Sequence, residues 1–231
     1  MIDWHSHLLP GIDDGSRDVE ESLALLRMEA EQGVDTVVAT PHFFADDGSV
    51  DSFVEQRQKS YETLRSAMPE GSPDIVLGAE VRYYPGIGKL AELEKLSIGE
   101  SKLLLLEMPM EKWTDYTVRE LTGIARSGRV KLILAHIERY LGLQSESSWS
   151  RLYEAGVAMQ VNASFFTGFT TKRTALSYLL NGAIHLIGSD CHNTKYRPPK
   201  LGEAYKVIRR KFGDEFVNQF NEYGEYLLKT K

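Results

Sequence analysis

The sequence predicts an α/β fold, a β/α barrel of seven units whose chemically active side chains stand at the C-terminal ends of the strands. Three observations carry that expectation. Short apolar runs alternate with longer amphipathic stretches along all 231 residues. Those runs lack polar alternation, as strands covered on both faces do. Imidazoles and carboxylates fall where the runs end, and a closed parallel barrel gathers its strand ends on one face. An open sheet would spread seven ends along an edge too wide for one site.

The seven runs are Ile2–His5, Thr36–Thr40, Ile75–Glu80, Leu103–Glu107, Val130–His136, Val157–Asn162 and Ile184–Ser189. Each is rich in Val, Ile or Leu and is bounded by turn residues. Between them, Asp18 to Gly33 places Val19, Leu23, Leu26 and Ala30 at helical spacing, with Asp18 and Glu21 set as a capping box. Gly33, Gly128 and Gly156 stand as helix stops. Helical patterns also cover 51–67, 115–127, 146–155, 171–181 and 200–212, and a last one, 214–229, is expected to pack outside. Pro85, Gly86, Gly88 and Gly99 break the stretch 84–100 into irregular structure. No linker or low-complexity segment divides the chain, so residues 1–231 read as one domain.

Composition narrows the function. A net charge of -6 gives no electrostatic case for nucleic acid, and the basic cluster Lys206, Arg209, Arg210 and Lys211 reads as a solvated helix face. The single cysteine, Cys191, excludes an intrachain disulfide and a cysteine-rich zinc module. No secretory signal and no bilayer-length apolar run is visible, so the expected location is cytoplasmic, without membrane insertion.

The strand ends carry the chemistry. The first run gives His5 and His7, then Asp13 and Asp14; the second ends in His42; the third and fourth end in Glu80 and Glu107. The fifth ends in His136, with Glu138 and Arg139 beyond, the sixth in Asn162, and the seventh in Asp190 and His192. A lone histidine at a strand end is ordinarily a hydrogen-bonded core residue, and His185, in mid-strand, keeps that structural reading. Five histidines and several carboxylates converging together need cations to share a small volume. His5 and His7, two apart on a strand, point to the same side and can hold one ion. Mixed imidazole and carboxylate ligands suit Mn²⁺, Fe or Zn²⁺ better than Ca²⁺ or Mg²⁺, and a carboxylate such as Glu80 or Asp190 can bridge two ions for displacement at phosphorus. Tyr83, Tyr84, Trp113 and Tyr116 are candidates either for an aromatic-accepting mouth or for packing.

Ile2-Asp3-x-His5-x-His7, Thr40-Pro41-His42, Ala79-Glu80, Ala135-His136 and Ser189-Asp190-x-His192 together resemble the polymerase-and-histidinol-phosphatase (PHP) superfamily. Asp13-Asp14-Gly15, Ala135 to Tyr140, and Asp190-Cys191-His192-Asn193 leading to Arg197-Pro198 make the chain similar to its bacterial capsule and exopolysaccharide protein-tyrosine phosphatases, the CpsB/YwqE type. The resemblance spans nearly the whole chain. It implies a distorted TIM-like (β/α)7 barrel, the PHP fold, with three divalent ions, manganese or iron foremost and zinc or magnesium as alternatives. His5, His7, Glu80 and Asp190 would hold the first ion, and Glu80, Glu107 and His136 the second. Asp14, with Asp13 as its rival, would hold the third with His42 and His192. A metal-bridging hydroxide would attack phosphorus, and Arg139 and Arg197 would clamp the phosphate beside Asp190 and His192. The implied substrate is a phosphotyrosine protein, an autophosphorylating bacterial tyrosine kinase.

Three other readings compete. Members of the superfamily also hydrolyse histidinol phosphate, nucleotides or DNA ends, but the loops after the strands are short, apart from 43–53 and 163–170, which suits an exposed peptide. Cys191 and Arg197 have the spacing of thiol-based tyrosine phosphatases, yet the intervening residues are bulky and lack the glycines of a phosphate-cradling loop. A non-catalytic binding module would be expected to have lost ligands, and all nine positions are present.

Overall fold

The computed structural model describes residues 1–230. Nine strand segments form, all paired in parallel: β1 (Ile2–Ser6), β2 (Thr36–Ala39), β3 (His42–Phe43), β4 (Asp74–Leu77), β5 (Glu80–Arg82), β6 (Leu103–Glu107), β7 (Lys131–Leu134), β8 (Ala158–Asn162) and β9 (Leu186–Gly188). They make a three-stranded sheet, β1-β2-β4, and a six-stranded one, β3-β5-β6-β7-β8-β9. The expected strand Ile75–Glu80 is therefore split into β4 and β5, and the expected strand Thr36–Thr40 forms as β2 and is followed by an additional short strand, β3. Pro41 has no N–H to continue the ladder between β2 and β3. Gly78 interrupts β4 and β5 where a Cβ would lie 2.9 Å from Ile98 Cγ1. Single hydrogen bonds carry the chain across both breaks, from Gly78 N–H to Ala39 O at 2.8 Å and from Glu80 N–H to Pro41 O at 3.0 Å.

The sheet curls until β1 meets the end of β9. Ser6 bridges Cys191, the Asp190 N–H donates to His5 O at 2.7 Å, and the His7 N–H donates to Cys191 O at 2.9 Å. Gly188 allows this closeness, since a Cβ there would lie 2.5 Å from His5 Cβ.

Helices cover the outside: α1 (Val19–Glu31), α2 (Val50–Ala67), α3 (Asp115–Ser127), α4 (Glu146–Glu154), a one-turn α5 (Ser164–Thr167), α6 (Lys172–Leu180) and α7 (Leu201–Phe212). Asp18 caps α1 by accepting the Glu21 N–H at 2.9 Å. The reciprocal half of the expected capping box does not form: Glu21 accepts from the Arg17 backbone and side chain instead. The stretch 84–100 holds two 3-10 turns, Ile87–Lys89 and Leu93–Leu96. Among the described residues no helix is long and apolar enough to cross a membrane.

Two apolar layers result. The outer lies between sheet and helices and includes Val37, Ala39, Leu104, Leu106, Leu132 and Leu134. The inner fills the curl with Ile2, Trp4, Val38, Leu103, Leu105, Ile133 and Leu186, each contributing about 1.5–3 kcal/mol if burial is complete. α8 (Asp214–Lys229) packs outside with its first half, where Val217 joins the outer layer, and closes the inner layer with its second half. Leu227 and Leu228 pack against it, and Gly224 brings the helix to within 3.3 Å of the Trp4 indole nitrogen, measured from where a Cβ would stand.

One irregularity decides what faces inward on β1. Asp3 pairs with Val37 and Ser6 with Ala39, so β1 holds one extra residue. This bulge resets the alternation. Ile2 and Trp4 join the inner apolar layer, Asp3 and Ser6 turn outward, and His5 and His7 still reach the interior above Trp4.

Candidate metal centre

Glu80, at the start of β5 and almost fully buried, is the hub. Its Oε2 lies 3.2 Å from His5 Nε2, 3.2 Å from His7 Nε2 and 3.1 Å from His42 Nδ1. Its Oε1 lies 2.8 Å from His136 Nε2. Glu107, on the neighbouring strand β6, reaches His136 Nε2 at 3.7 Å. Asp190 Oδ1 stands 3.7 Å from both His5 Nε2 and His7 Nε2. Asp14, whose side chain is 67% exposed, sits 3.5 Å from His42 Nε2 and 3.5 Å from His192 Nε2. All nine ligand-type residues expected from the sequence thus join one cluster. The groupings are looser than three separate sets: His7 also approaches Asp14, His42 and His192, and His5 also approaches His136.

Most of the imidazoles are held by the other ring nitrogen, as oriented metal ligands are. His7 Nδ1 is 2.7 Å from Asp13 Oδ2, His5 Nδ1 is 3.4 Å from Gln160 Oε1, and His136 Nδ1 is 3.3 Å from the Tyr140 hydroxyl. His192 Nδ1 lies 3.1 Å from Asp190 O. Asp13 also accepts the backbone N–H groups of Gly15 and His42. The rivalry between Asp13 and Asp14 therefore divides by geometry: Asp13 orients His7 from behind, and Asp14 faces the open side of the cluster.

The electrostatics call for cations. Burial would raise the Glu80 carboxyl, but His5, His136 and His7 around it hold it well below its ordinary value. Burial likewise opposes ionisation of Asp190, and His5, His7 and Arg197 hold its carboxyl far down despite Glu80. Burial disfavours charge on His7 too, yet Asp13 and Glu80 lift it to about 10. Burial and the neighbouring His7 push His192 down to about 4. Glu80 Oε2, His42 Nδ1 and His192 Nε2 are buried without a hydrogen bond, and His5 Nε2 faces His7 Nε2 at 3.1 Å. Buried ring nitrogens and a carboxylate oxygen left without partners in a dry interior are what divalent ions would satisfy, so the residues fit such a centre.

Two arginines lean over this cluster. Arg139 Nη2 lies 2.5 Å and Arg197 Nη2 2.7 Å from Asp190 Oδ2, which also accepts from Asn162 Nδ2 at 2.8 Å. Both guanidiniums are about one-third to two-fifths exposed, at 35% and 42%, so an incoming anion can reach them. His136 and Asp190 adopt left-handed backbone, with φ 33° and 53°. Such conformations cost on the order of 1–3 kcal/mol and gather at functional sites.

Other candidates fall elsewhere. His185 accepts the Met159 N–H at its Nδ1, away from the cluster. Tyr83 is bonded to Glu120, and Trp113 packs against Tyr140 and Trp149, so these two serve the core. Cys191 is fully buried on the outward side of β1, beside Ser6 and Glu29, and burial pushes its thiol well up. Arg197 points to Asp190, not to that thiol. Gln160 escaped sequence reading, and Tyr140 entered it only as the end of a motif, without a role. Gln160 Oε1 accepts the His136 N–H at 2.7 Å as well as facing His5. The available signal was an amide inside an otherwise apolar strand.

The family model for capsular polysaccharide synthesis, CpsB/CapC, matches residues 1–227. The tyrosine-protein phosphatase YwqE of Bacillus subtilis (strain 168) is 30% identical over 238 residues, covering 100% of this chain and 92% of that protein. The tyrosine-protein phosphatase CpsB of Streptococcus pneumoniae is 33% identical over 226 residues, covering 92% and 91%. A crystal structure from work on YwqE and CpsB, described as unique metal-dependent tyrosine phosphatases, superposes with a TM-score of 0.85 at 26% identity, covering 100% of this chain and 95% of that one.

Proposed function

The chain belongs to the CpsB/CapC family, and from that premise we propose that it is a metal-dependent protein-tyrosine phosphatase. The observation that carries the reading is the convergence of nine ligand-type side chains and two arginines on the buried pair Glu80 and Asp190. The buried Glu80, Asp190, His5, His7 and His136 with Glu107 would hold ions within the cluster, and Asp14, His42 and His192 would hold a further one. When bound, the ions supply positive charge for the phosphoryl group and lower the pKa of a water molecule.

The protein's own groups do the rest. Asp13, Gln160 and Tyr140 fix the imidazoles. Arg139 and Arg197 would exchange their shared partner Asp190 for oxygens of the phosphate, two of which a planar guanidinium fork can bind at once. The curled sheet reads as a distorted (β/α)7 barrel if β2 with β3 and β4 with β5 each count as one interrupted stave. Exposure of Asp14, Arg139 and Arg197 favours a phosphotyrosine presented by a protein over a small enclosed ester. The family's role in capsular polysaccharide synthesis supports an autophosphorylating tyrosine kinase as that protein, met in the cytoplasm.

The test is elemental analysis of purified protein together with assays on phosphotyrosyl, phosphoseryl and histidinol phosphate substrates. Two or more bound divalent ions and a preference for phosphotyrosine are expected. A metal-free active protein, or one selective for histidinol phosphate, would defeat the proposal.

A further inference from the structure

Arg139 and Arg197 reach the same carboxylate oxygen, but the fold places them by different means. Arg139 ends a 3-10 turn, Ile137–Arg139, separated from β7 by only Ala135 and His136, and its N–H donates to His136 O at 3.0 Å. Arg197 lies on a surface loop beside Lys195 and Tyr196, the latter 90% exposed. An arginine on a free loop gives up side-chain entropy when fixed, plus the cost of ordering its backbone.

We infer that Asn193 is a positioning residue that sets Arg197 over the metal centre. Its Oδ1 accepts three backbone N–H groups, from Lys195 at 3.2 Å, Tyr196 at 2.7 Å and Arg197 at 3.2 Å. In return the N–H groups of His192 and Asn193 donate to Arg197 O at 3.0 and 3.4 Å. The loop is thereby folded into a closed knuckle, an aspartate-or-asparagine type of turn in which one side chain replaces backbone partners. Its entry is His192, whose ring faces Asp14. Its exit is Pro198-Pro199, where φ is fixed, and Pro199 O accepts at 2.9 Å from Nε2 of Gln32, the residue that caps the C-terminus of α1. With both ends tied, Asn193 decides where the middle goes, and the middle carries the guanidinium. Metal ligands contribute nothing to this turn beyond the His192 backbone, so its loss should loosen the phosphate clamp while leaving the ions bound.

The inference rests on the phosphatase reading for its kinetic arm only. Asn193→Ala should raise KM for a phosphotyrosyl peptide and weaken competitive inhibition by inorganic phosphate, each by roughly tenfold, with a smaller effect on kcat and unchanged metal content. Asn193→Asp, which keeps an acceptor at the same place, should stay near wild type. In an Arg197→Ala background, Asn193→Ala should add little, because the group it positions is gone. Trypsin reads the same placement without any activity. The Lys195–Tyr196 bond should be cut faster in folded Asn193→Ala than in wild type or Asn193→Asp. Equal cleavage rates, or kinetic losses that add fully to those of Arg197→Ala, would overturn the inference. Should the alanine variant not fold, Asn193→Gln, whose longer side chain misplaces the oxygen, takes its part in every arm.

Discussion

Two buried polar clusters lie on opposite sides of β1, built from similar residues and opposite in character. On the inner side, Glu80 and Asp190 are held ionised by imidazoles and guanidiniums. On the outer side, Asp3, Glu29 and Cys191 face one another, with Ser189 and Ser6 as their further partners. Burial raises both carboxyls there, and Glu29 goes well up because Asp3 stands beside it. Burial is nearly the same on the two sides. What differs is whether positive charge converges, and that difference makes one cluster a place for cations and leaves the other as a structural brace holding β1, β9 and α1 together.

The largest way to break this comparison is to remove the ions. Chelation should abolish phosphatase activity, and Mn²⁺ or a similar divalent ion should restore it. Persistent turnover in protein shown to be metal-free would erase the distinction between the clusters.

The same isosteric change made on each side comes next. Glu80→Gln should lower metal occupancy and cost at least a hundredfold in rate, about 3 kcal/mol in the barrier. Glu29→Gln should leave rate and metal content near wild type. Its signature is in stability. A carboxyl raised by folding binds more protons in the native state than in the unfolded one, so it favours folding below its unfolded pKa. That contribution fades as pH climbs through the unfolded value toward the folded one. Glutamine mimics the protonated form at every pH. Denaturation at pH 5 and pH 8 should therefore show wild type losing stability across that interval and Glu29→Gln losing less.

Changes at the rim should be smaller. Arg139→Lys or Arg197→Lys keeps charge but loses the planar fork, and kcat/KM on a phosphotyrosyl peptide should fall roughly tenfold. Wild-type values for both would remove the clamp. The smallest effect is expected at Cys191, which belongs to the outer cluster although it stands between two inner residues. Cys191→Ser should retain most activity, while His192→Ala should be far worse. A folded, metal-loaded Cys191→Ser protein without activity would show that the thiol attacks after all.

Much of the site was legible because its signal is local. Each ligand-type residue ends an apolar run, and in a parallel sheet every such end goes to one face. That reasoning located His5, His7, His42, Glu80, Glu107, His136, Asp190 and His192 with no knowledge of contacts. It could not divide Asp13 from Asp14, since adjacent residues share every sequence property and differ only in where a turn aims them. Gln160 was missed because its partners, His5 and the His136 N–H, lie far away in the chain, and the role of Tyr140 was missed because a motif does not show that its hydroxyl meets His136 Nδ1. Tyr83 and Trp113 read equally well as mouth or core, and packing partners on α3 and α4 settled them as core.

The sequence by itself determined the alternation of strand and helix, the parallel sheet, and the end of the sheet at which chemistry gathers. Periodicity and the clustering of imidazoles suffice for those. Only the tertiary structure decided that the expected strand Ile75–Glu80 splits at Gly78-Ala79 and a short β3 follows Thr40-Pro41, that α8 closes the inner layer, and that Asn193 ties the loop of Arg197. It also decided that a bulge puts Trp4 and His5 on the same side while turning Asp3 away. The physical reason is common to all four: each depends on which distant backbone comes within hydrogen-bonding or van der Waals reach, and the order of residues along the chain does not record that distance.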